Sequence, residues 1–104
     1  LLDNNLSKTI NETLMLYQQD ISIEKIAEQR DKNINTIYTH LADAIEVGLL
    51  EVRDVVGLDD GQFDEIVYTI ETMEDDDKSR LKPLYEALNE EYDYGILRCV
   101  QASI

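Results

Sequence analysis

The stretch SIEKIAEQRDKNINTIYTHL, residues 22–41, decides how this chain is read. Ser22 can cap a helix, and Ile23, Ile26 and Ala27 fall on one face of it. Residues 30–33 make a polar turn. Asn33 or Asn35 can cap the following helix, whose apolar face is Ile34, Ile37, Leu41, Ala44 and Ile45, and Gly48 ends it. Two short helices that cross steeply over a tight turn need a small residue where their backbones approach, and Ala27 supplies it. One residue of such a turn is left-handed. Glycine is the usual choice, but Asp31 tolerates that conformation better than most side chains. Lys32 stands where an apolar residue commonly follows. The pattern is that of a helix-turn-helix, set against the plainer reading of two packed amphipathic helices.

Working outward, Ser7 can cap a leading helix that runs to about residue 19, with Ile10, Leu14 and Tyr17 on one stripe. LLEVRDVVGL, residues 49–58, is apolar and β-branched. It reads as an extended linker, because no second alternating run follows to pair with it as a hairpin. Residues 60–73 place Phe63, Ile66, Val67 and Ile70 at helical spacing. EDDDKSR, residues 74–80, reads as a charged loop. Residues 81–89 read as a helix with Pro83 tolerated in its first turn. A last helix opens at Asp93 or Tyr94 and carries Ile96, Leu97 and Val100. The expected fold class is all-α. It is a helix-turn-helix-containing bundle of about five or six helices with no extensive sheet, in a single domain over residues 1–104. Residues 1–58 form the helix-turn-helix half and residues 59–104 an acidic helical half.

Composition constrains partners. The chain has 104 residues, 23 acidic and 9 basic, for a net charge of −14. Residues 1–58 hold 10 acidic and 5 basic side chains, and residues 59–104 hold 13 and 4. DNA affinity rests largely on Lys and Arg displacing counterions from phosphates, so this balance opposes tight independent binding. A local patch can still act, since salt screens charge beyond about 8–10 Å. No apolar run approaches the ~20 residues that cross a bilayer, so no membrane partner is expected. The first ten residues, LLDNNLSKTI, lack the basic and apolar regions of a signal peptide, and the chain reads as a fragment of a longer protein. Cys99 is the single cysteine, which fits a reducing, cytoplasmic setting.

With these elements placed, the sequence resembles the C-terminal helix-turn-helix domain of RecQ-type DNA helicases, the Werner-type helicases among them. The same domain also occurs in bacterial proteins encoded beside such helicases. The matching residues are Ser7, Thr13 and Leu14 in the leading helix, SIEKIA at residues 22–27, and TIYTHLADAIEVG at residues 36–48. RLKPLYEALNEEYDYGILR, residues 80–98, matches the family's closing segment and is the more discriminating piece. The resemblance covers nearly the whole chain. It implies an accessory domain of an ATP-dependent, 3′-to-5′ DNA-unwinding enzyme of repair and recombination, nucleoid-associated if bacterial. ATP and Mg²⁺ would belong to the parent's motor alone. This chain has no GxxxxGK[ST] phosphate loop, so no cofactor and no catalytic residue is expected in it.

A recognition helix offers its outward N-terminal face to the major groove. With Ile37 and Leu41 inward, the outward positions are Asn35, Thr36, Thr39, Asp43 and Glu46. The candidate DNA-binding residues are therefore Lys25, Arg30 and Lys32 for phosphates, with Asn35, Thr36 and Thr39 in or near a groove. Asp43 and Glu46 would repel the groove walls. The expected partners are DNA, bound weakly, and the parent helicase's other domains. The competing reading is an interaction module whose acidic half binds a basic protein partner.

Other residues are read more plainly. His40 fits a half-buried packing histidine better than a catalyst or ligand, and Cys99 a small buried hydrophobe. DDGQFDE lacks the ligand order of a calcium loop, so no metal site is expected. Tyr92 and Tyr94 read as tyrosines sealing a helix junction, with base stacking as the alternative.

Overall fold

The computed structural model describes residues 6–74 and 80–104. The order is α1 (Lys8–Gln18), α2 (Ile23–Arg30), α3 (Ile34–Glu46), α4 (Val52–Val56), α5 (Asp60–Thr72), α6 (Leu81–Ala87) and α7 (Tyr94–Ala102). The fold is all-helical, with no strand among the described residues. The charged loop expected over residues 74–80 falls largely on residues 75–79, outside the described ones.

Local chemistry sets most of the boundaries. Ser7 and Ser22 accept from the backbone N–H groups of Ile10 and Lys25 at 3.4 and 3.2 Å. Asn33 caps α3 by accepting from the Asn35 N–H at 2.8 Å. Asp59 and Gln62 form a reciprocal capping box at the start of α5. Asp31 ends α2 in the left-handed region, at φ 54° and ψ 49°, as the turn requires.

Among the described residues there are seven helices where five or six are expected, and the added one is α4. The sequence places residues 52–56 within an extended linker. Val52, Val55 and Val56 lie at i, i+3 and i+4, all buried in the core, so the segment closes a helical turn to dock them. Gly57, at φ 64°, ends the turn in a conformation that strains other residues. Arg53 pairs with Asp60 and lies 4.9 Å over the Phe63 ring, and the Tyr17 hydroxyl donates to the Asp54 carbonyl at 3.3 Å. Tertiary contacts thus outweigh the weak helix propensity of valine.

One contiguous core draws on α2 to α7, with Leu16 and Tyr17 of α1 packed against it. Ile26, Ile37, Leu41, Ile66, Leu84, Leu97 and Val100 are fully buried, and Ala27 is buried at the α2–α3 crossing. Ile34 departs from expectation. It stands at the first position of α3 and is exposed. The most extensive helix pairing joins α3 to α7. The closing segment therefore buttresses the second helix of the turn motif.

Candidate nucleic-acid interface

The N-terminal half of α3 presents Asn35, Thr36 and Thr39 to solvent, next to the exposed cap Asn33. Thr39 donates its hydroxyl to the Asn35 carbonyl at 2.9 Å, which leaves its oxygen free to accept. Among the described residues the Asn35 side chain has no hydrogen-bond partner, so its amide donors and acceptor are open. Lys25 on α2 and Lys32 in the turn are exposed and bonded to no acidic side chain among the described residues. Five of the six residues singled out from the sequence are therefore accessible, and they gather on the α2–turn–α3 side of the fold.

Arg30 is the exception. Its guanidinium turns away from that face onto α1, where it donates to the Thr9 carbonyl at 2.8 Å, the Thr9 hydroxyl at 2.9 Å and Glu12 at 3.0 Å. It also donates to the Thr13 hydroxyl. With its side chain only 12% exposed, Arg30 holds α2 against α1 rather than facing solvent. Its partners lie 17 to 21 residues away, so local sequence offered no sign of the arrangement.

Thr13 carries the network inward. Its hydroxyl lies 2.8 Å from Nδ1 of His40 on α3. Because Arg30 donates to this oxygen, the threonine proton is free to go to an unprotonated Nδ1, with the other ring nitrogen carrying the hydrogen. The sequence reading of His40 as a half-buried packing residue understates the site. The ring is 9% exposed and links α1, α2 and α3. Burial, then the Arg30 and Lys32 charges, hold its pKa below the ordinary histidine value, with Asp43 acting the other way.

The C-terminal half of the outward stripe differs from expectation. Glu46 is exposed and Asp43 partly exposed, as an outward stripe requires, but neither carboxylate is free of a cation. Arg98 of α7 reaches across, 3.2 Å from Asp43 and 3.7 Å from Glu46. Sequence reasoning passed over Arg98. The available signal was that it is the sole cation after Lys82, in a stretch that otherwise carries Glu86, Glu90, Glu91 and Asp93.

The remaining candidates are placed as follows. Cys99 is fully buried, its thiol donating to the Tyr38 carbonyl at 3.4 Å, and burial pushes its pKa up to about 12. Tyr92 is buried with its hydroxyl 3.0 Å from Glu65, and burial followed by that hydrogen bond raises its pKa. Tyr92 therefore seals the junction of α5 with the α6–α7 connection. Tyr94 does not. It stays partly exposed and stacks on Tyr85, with centroids 4.5 Å apart. Among the described residues no group of three or more His, Cys, Asp or Glu is arranged to hold a metal. None of their helices is long and apolar enough to cross a membrane.

Compared with known protein families, residues 9–101 match a helix-turn-helix domain family. The chain belongs to that family. No curated protein and no solved structure matches it.

Proposed function

We propose that this chain is an accessory helix-turn-helix domain of a RecQ-type, ATP-dependent DNA helicase, giving weak DNA contact or positioning within the parent enzyme. The observation that carries the reading is the open polar face formed by Asn35, Thr36 and Thr39, flanked by the exposed Lys25 and Lys32. The Asn35 amide and the Thr36 hydroxyl can donate to phosphates or base edges, the Thr39 oxygen can accept from a base amino group, and the two lysines supply the local positive charge. The family membership and the RecQ-like closing segment, residues 80–98, support the same reading. Tethering makes a weak domain useful, because a linked site experiences an effective concentration of about millimolar.

Fluorescence anisotropy of the isolated chain with labelled duplex DNA, across a salt series, tests this. Two phosphate-contacting lysines correspond to a slope of about −2 in log K against log salt, and Kd should lie at or above about 10⁻⁴ M at physiological salt. Nanomolar binding at about 150 mM salt would overturn the weak-contact reading.

A second reading has its own observation. α5 exposes Asp60, Asp64, Glu65 and Glu71, and among the described residues only Asp60 of these has a cationic partner, Arg53. This surface suits a basic protein partner or the parent's own DNA-binding domains. Saturable binding of a basic peptide, with none of duplex DNA, would favour it.

A further inference from the structure

Asn35, Thr39, Asp43 and Glu46 follow one another at spacings of four, four and three residues, so they form one stripe along α3. The stripe is about 16 Å long. Its first half bears neutral hydrogen-bonding groups and its second half two carboxylates. Asp43 lies only about 6 Å along the axis from Thr39. A phosphate lying beside Thr39 would thus sit within one screening length of Asp43 at physiological salt. Left free, the carboxylates would oppose what the first half invites.

They are not free. Arg98 comes from a different helix and 55 residues away in sequence to meet Asp43. The two side chains are 25% and 32% exposed, so water screens this pair less than it would a pair on the open surface. Glu46 shares the same guanidinium. Two negative charges and one positive leave a single net negative charge at the end of the stripe.

We propose that Arg98 is a positioning residue for DNA contact. By pairing with Asp43 and Glu46 it removes much of the negative charge that α3 would turn toward a phosphate backbone, so α7 completes the DNA-facing surface. This rests on the reading of α3 as the DNA-facing helix. It also assigns the closing segment a part in binding besides its part in the core. Arg98 acts through the two carboxylates and need not touch the nucleic acid.

The test is an NMR titration of the ¹⁵N-labelled chain with a short DNA duplex at about 50 mM salt, where weak binding is strengthened. Folding of each variant is checked by its amide spectrum. Arg98→Gln should weaken binding about three- to fivefold, the scale of one exposed ion pair. Arg98→Lys, which keeps the charge, should bind within about twofold of the parent. Asp43→Asn with Glu46→Gln should bind at least as tightly as the parent, and adding Arg98→Gln to that pair should cost less than about twofold, whereas packing or direct contact by Arg98 would still cost the full three- to fivefold. That full cost on the paired background would overturn the proposal. Asn35→Ala with Thr39→Ala serves as the control for the face itself. If that control weakens binding while Arg98→Gln does not, the positioning role fails and the DNA-facing reading of α3 stands. If neither changes binding, both fall.

Discussion

Gly95 of α7 lies so close to Tyr38 of α3 that a Cβ built on it would sit 2.6 Å from the tyrosine Cβ and Cδ2, and 2.7 Å from Cγ. Real Cβ atoms essentially never approach that closely. The contact falls within the most extensive helix pairing of the fold, and it allows the Cys99 thiol to reach the Tyr38 carbonyl. Gly95→Ala should therefore push α3 and α7 apart and destabilise the chain by about 1–3 kcal/mol, the range of overpacked cores. Urea unfolding reads this directly, and an unchanged midpoint would mean that the helices separate at no cost.

Ala27 holds the other crossing. It is buried where α2 meets α3, and its carbonyl accepts from the Lys32 N–H at 2.9 Å. Ala27→Leu should cost about 1–3 kcal/mol by the same overpacking mechanism. The same unfolding series reports it, and a gain in stability would show unfilled space at the crossing.

Arg30 and Lys32 should separate cleanly although they are neighbours in the turn. Arg30→Ala leaves the Thr9, Thr13 and Glu12 groups without their partner and should cost about 1–3 kcal/mol of stability. Lys32→Ala touches no such network and should stay within about 0.5 kcal/mol. For DNA the order reverses, with Lys32→Ala lowering affinity and flattening its salt dependence. Paired thermal melts and anisotropy titrations measure both. A large DNA effect of Arg30→Ala in a fully folded variant would contradict the inward placement.

The His40 network should make the fold acid-sensitive. In the unfolded chain the imidazole has its ordinary pKa of about 6.5, and in the folded chain burial lowers it. Between the two values the unfolded chain binds more protons, so stability rises with pH. The contribution is fully present above about pH 6.5 and is lost as pH falls toward the lowered folded value. Protonation would put a second cation beside Arg30 and deny the Thr13 proton its acceptor. Urea midpoints compared with those of His40→Gln across this window isolate the effect from the carboxylates. Parallel pH profiles for the two proteins would remove His40 as the cause.

The helices of the turn motif were readable in advance because their signals are local. Ser7, Ser22 and Asn33 cap helices through bonds to backbone groups two or three residues on. The turn at Asp31 follows from the conformational tolerance of one side chain. The apolar spacing of Ile26, Ile37 and Leu41 named the buried faces because the α-helical period is the same in any fold. The exposed face bearing Asn35, Thr36 and Thr39 followed from that period.

What the tertiary structure decided lay wherever the deciding partner is distant. Val52, Val55 and Val56 suit a linker or a helix equally until a core exists to receive them. Arg30 and Lys32 are indistinguishable as charges in a turn, yet α1 captures one and leaves the other in solvent. Asp43 looks like a bare carboxylate until Arg98 arrives from 55 residues away. Gly95 looks like a helix-weakening residue until Tyr38 fills the space above it. A helix and its cap are settled by atoms within about one turn, which the sequence displays side by side. The surroundings of a charge or a small residue are settled by whichever helix packs against it, and packing brings together residues that the sequence keeps apart.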